Sequence, residues 1–439
     1  MEEPSSRDEG KVKGEEPNLN ACLLDSESEG RGEGSRRRRG TATSAQTLCN
    51  IIVSIVGTGV LGLPYAFRVA GWVAGSLGVA IAGLATFYCM LLLIECRDKI
   101  EEEETEAESE NHHTYGDLGG KAFGSTGQYL TELLVLVSQA GGSVAYLVFI
   151  GQNLNSVFSS PPSLFIFALL LPLEIVLSFI RSLSSLAPFS MFADVCNVLA
   201  MAIVIKEDLQ LFDHPFSRNG FNGLWGLPFV GGVAVFCFEG FCMTLALEAS
   251  MAERRKFRWV LGQAFVAITF TYVFFGIFGY LAYGDETRDI ITLNLPNNWS
   301  AAAVKVGLCI ALTFTFPIMM HPIHEIVEAK LQSNLFFQKI CNRCRAAEYV
   351  GVQIARALVV VLLSIVASLI PGFGSFISFV GSTVCALLSF VLPAVFHLTF
   401  LGSSIGLFKK AVDYCILVIG LVFAAYGTYD VVVSRSNKS

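Results

Sequence analysis

Charge is scarce in this chain: only 15% of its 439 residues are Asp, Glu, Lys or Arg, while 53% are hydrophobic. A soluble domain carries about 25% charged residues, so the deficit excludes a soluble protein and leaves an integral membrane protein. A phosphate cradle is also missing. The nearest candidate, Gly116-Asp117-Leu118-Gly119-Gly120-Lys121-Ala122, has the wrong spacing and no Ser or Thr after the lysine, which excludes a P-loop pump. Cys341 and Cys344 form a single C-x-x-C. A structural zinc needs four ligands, and no second pair lies nearby, so neither metal nor cofactor is expected. No repeated filter or ring of charge marks a channel pore. Asp285 and Asp430 fall near span ends, so no catalytic pair is expected within the membrane and the chain is not expected to be an enzyme. The first 44 residues are rich in Glu, Ser, Gly and Arg and lack the apolar core of a signal peptide. They read as a disordered cytosolic tail, 1–44.

What is present is apolar length. Crossing a bilayer takes about 20 apolar residues, and such runs occur at 45–69, 72–95, 128–158, 163–181, 188–206, 227–250, 259–283, 300–320, 349–370, 373–398 and 410–433. The expected fold is therefore all-α, with eleven transmembrane helices. Placing the amino terminus in the cytosol puts 23 of the 30 Lys and Arg residues inside, including the Arg36–Arg39 run, as the positive-inside bias requires. An odd span count then sends the carboxyl terminus to the lumen. The sequon Asn298-Trp299-Ser300 falls on that luminal side and is a glycosylation candidate at Asn298. The net charge of −7 comes largely from solvated ends and loops such as the acidic run at 101–110. It calls for no nucleic-acid partner.

Two spans are interrupted. The first carries IVGTGVLGLPYAF, with Gly57-Thr58-Gly59 followed by Gly62 and Pro64, and the sixth carries FCFEGF, with Glu239 and Gly240 near its centre. Irregular backbone at membrane depth survives only where it faces protein or water, and paired breaks in two halves point to the substrate site of a carrier. The spacing gives a first five-helix repeat at 45–206, a luminal loop at 207–226, a second repeat at 227–398, and an eleventh helix with the chain end at 399–439. Five is odd, so the second group would be an inverted copy of the first.

A zwitterion entering a low-dielectric site needs donors for its carboxylate and acceptors for its ammonium. A half-helix starting near Gly59 offers the N–H groups of Gly59, Val60 and Leu61 beside Thr58, and one ending near Val56 offers carbonyls. The alternative is that the glycines form only a packing face. Glu239 is either a proton carrier, as an acid at mid-depth suggests, or a clamp accepting local N–H groups. Phe236, Phe238 and Phe241 flank the second break, and Phe238 is assigned the gauging of side-chain size. Asp194 is a further proton-coupling candidate, although residues such as it, Asn197, Glu174, Ser138 and Gln139 more often knit helices together than touch substrate. Thr313 and Thr315 precede Pro317 and either supply a cation site or bond back to their own helix.

The stretches SAQTLCNIIVSIVGTGVLGLPYAFRVAGW, GGVAVFCFEGFCMTLALE, YGDETRDIITLNLPNNWS and PGFGSFISFVGSTVCALLSFVLPA, in that order, resemble the amino acid/auxin permease family of the APC superfamily, most closely its plant vacuolar neutral amino acid transporter branch. The likeness spans about residues 44 to 433, leaving out the tail and the acidic loop at 100–113. It implies a LeuT-like 5+5 inverted-repeat core plus one extra helix, and proton-linked movement of small neutral amino acids from vacuole to cytosol. The partners implied are the amino acid substrate, protons and the lipid bilayer. A membrane sensor that binds amino acids, or a facilitative channel-like carrier, is the alternative.

Overall fold

The computed structural model describes residues 41–103, 114–179, 187–210, 218–296, 298–333, 337–338 and 345–436. Nearly all of it is helix: α1a (Ser44–Ile55), a 3-10 turn (Thr58–Gly62) and α1b (Leu63–Ala70); α2 (Trp72–Glu103); α3 (Tyr115–Phe158); α4 (Pro162–Ser178); α5 (Ala187–Gln210); α6a (Leu227–Cys237) and α6b (Phe241–Ser250); α7 (Phe257–Tyr283); α8 (Trp299–Ser333); α9 (Arg345–Ser368); α10 (Phe373–Leu401); and α11 (Leu407–Ser436). Among the described residues, eight helices are long and apolar enough to cross a membrane, nine with the bent α1 pair. Where the fourth and fifth of eleven spans were expected stand the shorter apolar helices Pro162–Ser178 and Val195–Lys206. The tail at 1–40, with Arg36–Arg39, and Cys341 and Cys344 lie outside the described residues, as do residues 211–217 of the expected loop at 207–226.

Local sequence sets the helix ends. Thr43 begins α1a through a capping box with Gln46, which satisfies otherwise orphaned N–H groups. Thr114 does the same for α3 with Asp117. The helix opened by Thr114 turns sharply at Phe123 and Gly124, where Gly124 adopts φ 64°, a conformation glycine enters without steric cost. The Gly116–Ala122 stretch therefore lies in a short helical arm before the α3 crossing. Pro64 and Pro228 sit in the first turns of α1b and α6a, where a missing N–H costs nothing.

α1 and α6 run antiparallel side by side. At one end Ala42 N–H donates to Ser250 O and Ala252 N–H to Ala42 O, both at 3.0 Å. At the other, Asn222 N–H donates to Ala70 O at 2.9 Å, and a side chain on Gly226 would collide with the backbone of Val69 at 2.7 Å. Small residues bring neighbours equally close. A Cβ on Gly381 of α10 would lie 1.9 Å from Gly232 O of α6a, so only glycine permits that crossing, as small-residue packing in membranes requires. Gly75 and Gly276 close on the ring of Phe67 from α2 and α7. Trp225, Trp259 and Trp299 are exposed near helix starts, positions that suit the membrane interface.

The face that carries Ala42 is tied by charge. Arg97 of α2 pairs with Glu248 of α6b, both 3% exposed, and with Asp98 at 2.7 Å. Arg258 reaches Asp98 at 2.9 Å. Glu95 meets His397 and Lys409, each at 3.1 Å. His397 also meets Asp413 at 2.7 Å, and the Tyr88 hydroxyl donates to Asp413 at 2.9 Å.

Candidate substrate site

The two interruptions meet. α1 bends by 47° across its break, whereas α6 passes through Phe238, Glu239 and Gly240 as one 27-residue span with a gentler interruption. A side chain on Gly59 would touch Cys237 Sγ at 3.0 Å and the Phe236 ring at 3.2 Å; one on Gly240 would touch Ile55 Cγ1 at 3.0 Å. Each break thus presses a glycine against the end of the other's first half-helix, a close approach at which a Cβ would push the facing side chains back by a few tenths of an ångström.

The carbonyls at these ends are covered by side chains from other helices. Tyr272 Oη of α7 lies 3.1 Å from Ile55 O and 2.9 Å from Cys237 O. Asn197 Nδ2 of α5 donates to Val56 O at 3.3 Å. A tyrosine hydroxyl has one proton, so it cannot donate fully to both carbonyls at once. Ile55 O also accepts from Gly57 N–H at 2.9 Å, so the acceptor capacity left at the break is in Cys237 O and the second lone pairs of the carbonyls, the kind an ammonium group seeks.

The donor side differs from expectation. Val60 N–H was expected free, yet it donates to Gly57 O at 3.4 Å, and Gly57 N–H donates to Ile55 O at 2.9 Å. The cause is the 3-10 turn that begins immediately at Thr58, since i to i+3 bonding engages a helix-start N–H sooner than an α turn does. Thr58, Gly59, Val60 and Leu61 are all buried here. Around Gly57 there is room, with Tyr146 Oη 4.0 Å from where a Cβ would stand.

The three phenylalanines part company. Phe236 reaches Gly59 and also lies 3.0 Å from a Cβ on Gly381, between the α1 break and α10. Phe238 turns the other way, fully buried, stacked on Phe265 at 5.8 Å and 5.0 Å from the Tyr272 ring. Phe241 stacks on Tyr115 at 6.5 Å. The size-gauging place assigned to Phe238 is therefore corrected: the unwound turn sends that ring into the α2–α7 packing and leaves Phe236 at the meeting point.

Glu239 has its Oε1 atom buried without a hydrogen-bond partner, so that oxygen is not the local N–H clamp considered from sequence. Nearby polar groups come from α3: Gln139 Nε2 lies 3.7 Å from Cys242 Sγ and Ser138 Oγ 3.6 Å from Cys385 Sγ. Thr313 and Thr315 donate to Cys309 O and Ala311 O of their own helix at 2.8 and 2.9 Å. The side chain of Asp194 lies outside the described residues. Glu174 of α4 is buried with both carboxyl oxygens unpartnered, and α4 packs on α8 and α9. Among the described residues no cluster of three His, Cys, Asp or Glu side chains suits a metal. Sequence reasoning missed Tyr272 altogether, because a tyrosine in an apolar span carries no signal that separates packing from bonding.

Paired broken helices, packed together inside a polytopic helical protein, define a membrane carrier of LeuT-like fold. Residues 40–433 match the family described as "Transmembrane amino acid transporter protein", and the chain belongs to it. It is 59% identical over 406 residues to "Amino acid transporter ANT1" of Arabidopsis thaliana, covering 90% of this chain and 93% of that one. It is 37% identical over 410 residues to "Amino acid transporter AVT3B" of the same plant, covering 89% and 94%. "Vacuolar amino acid transporter 3" of Schizosaccharomyces pombe is 27% identical over 404 residues, covering 89% of this chain and 58% of that one. Among solved structures, MhsT in complex with L-phenylalanine shares the fold at a TM-score of 0.54 and 14% identity, covering 89% and 99%. Inward-facing Mhp1 does so at 0.57 and 12% identity, covering 89% and 90%.

Proposed function

We propose that this amino acid transporter is a secondary carrier of small neutral amino acids, coupled to protons and working by alternating access. The observation that carries the reading is the meeting of the two breaks, where Gly59, Phe236 and Gly240 pack beside carbonyls that one tyrosine hydroxyl cannot fully satisfy. The substrate's ammonium takes the surplus acceptors of Ile55, Val56 and Cys237. Its carboxylate takes the N–H groups of Thr58 and Gly59 and the Thr58 hydroxyl, on the roomy side of the turn beside Gly57, whose own N–H is held by Ile55 O. Val60 and Leu61 form the wall behind them. Glu239, with an unpartnered oxygen in the second break, carries the proton, and Asp194 is a second candidate for that task. The two five-helix groups, 45–206 and 227–398, are the inverted halves that exchange access.

The membrane we propose is the vacuolar one, on the strength of the Schizosaccharomyces pombe relative named for it and of the resemblance read in the sequence, with flow toward the cytosol. The amino terminus is cytosolic and the carboxyl terminus luminal, from the bias of Lys and Arg. Asn298 then faces the lumen. Its Oδ1 caps α8 by accepting from Ala301 N–H at 2.8 Å, and its exposed amide nitrogen is open to a glycan.

Reconstitution in liposomes tests the reading. Alanine, proline, leucine and arginine uptake are compared with and without an imposed pH difference. Proton-driven uptake of the neutral substrates supports it; indifference to every amino acid ends it, and flux that never saturates would favour a channel-like path.

A further inference from the structure

A cavity of about 570 Å³ opens on the face opposite Ala42, between the end of α3, the segment 284–295 and the start of α8. Pockets of this size hold small molecules. Its polar lining is Ser156, Tyr283, Glu286, Arg288, Asn294 and Lys305. The segment 284–295 is also the cover of α1b: Arg68 Nη1 donates to Thr287 O at 2.9 Å, Thr292 Oγ1 to Asn153 Oδ1 at 2.6 Å, and Asp289 O lies 3.6 Å from where a Cβ on Gly62 would stand.

Lys305 is the anomaly. It is only 3% exposed, yet no carboxylate pairs with it and no hydrogen bond receives its ammonium among the described residues. The charged group that acts on it is the like-charged Arg288. The Lys305 stem is covered while the residue lines the cavity, and a cation set within a spanning helix with no anion beside it marks function by default. Two cations facing one cavity call for an anionic group, and Glu286 on the same wall calls for a cationic one. A free α-amino acid carries both.

We propose that this cavity is a second amino-acid site, holding the carboxylate between Lys305 and Arg288 and the ammonium at Glu286. This rests on the reading of the chain as an amino acid carrier and adds a waiting position beside the segment that covers α1b. Occupancy there sets the supply of substrate to the breaks.

Equilibrium dialysis of the purified full chain with radiolabelled L-alanine tests it. The wild type is expected to bind two molecules per chain, Lys305→Met one, and Lys305→Arg two. Lys305→Met should melt no lower than wild type without ligand, because it breaks no ion pair or hydrogen bond among the described residues and keeps the covered stem. Gly59→Val, which fills the break, should keep the outer molecule. In the wild type, alaninamide, which lacks the carboxylate, should fail to displace that outer molecule. The proposal is overturned if Lys305→Met binds as the wild type does, or if alaninamide displaces both molecules. A different failure, no binding of alanine, proline, leucine or arginine by any variant, removes the amino-acid reading itself.

Discussion

Tyr272 Oη stands 2.9 Å from the carbonyl oxygen of Cys237, and the same atom lies 3.1 Å from Ile55 O. One hydroxyl on α7 therefore touches the ends of both first half-helices. Tyr272→Phe keeps the ring in its packing against Phe238 and removes only the donor. A net hydrogen bond is worth about 1 kcal/mol, so the melting temperature should fall slightly. Alanine uptake should fall much further, because two carbonyl ends lose their common reference point. Equal, small losses in both measurements would assign Tyr272 to packing alone.

Phe236 and Phe238 should separate by phenotype. Phe236→Ala opens space beside Gly59 and is expected to admit larger side chains, read as a rise in leucine or phenylalanine uptake relative to alanine. Phe238→Ala empties a filled site among Phe265 and Tyr272. It should cost about 3 kcal/mol of stability with the substrate ranking unchanged. A competition series on both variants in liposomes checks the split.

Glu239→Gln removes a titratable oxygen while retaining its size. If Glu239 carries the proton, pH-driven uptake is lost and counterflow exchange continues. Loss of both activities, with normal folding, would return Glu239 to a purely structural part in the second break.

Glu248→Ala leaves Arg97 buried with only Asp98 and Glu101 to offset it. The cost of breaking such a pair runs to about 3 kcal/mol or more. Thermal unfolding in detergent should show the drop. Replacing Arg97 and Glu248 together by Met and Leu should recover much of it, since a well-packed apolar pair avoids the desolvation cost.

The legible part of this molecule was its backbone. Gly57-Thr58-Gly59 with Pro64, and Glu239-Gly240, announce interruptions because glycine and proline act on the main chain itself, and both interruptions lie where they were read. Side-chain direction around them was not legible. An unwound turn has no 3.6-residue period, so nothing in FCFEGF distinguishes the ring that meets Gly59 from the ring that meets Phe265. Val60 was misjudged for a related reason: a 3-10 start uses its N–H sooner than an α start would. The ties among Glu95, Arg97, His397 and Asp413 escaped notice because charges near span ends read as solvated. Their pairing depends on α2, α6b, α10 and α11 converging, which is tertiary information.

The two main-chain bonds that join Ala42 to Ser250 and Ala252 bind the beginning of one interrupted helix to the finish of the other, and short of proline no substitution removes them. Any movement of α1a on that face is passed to α6b through those two bonds. Any pull applied to the chain just ahead of Ala42 is thus delivered to both helices at once, and a spectroscopic label pair at Ser44 and Ala252 should keep a constant separation through the whole cycle.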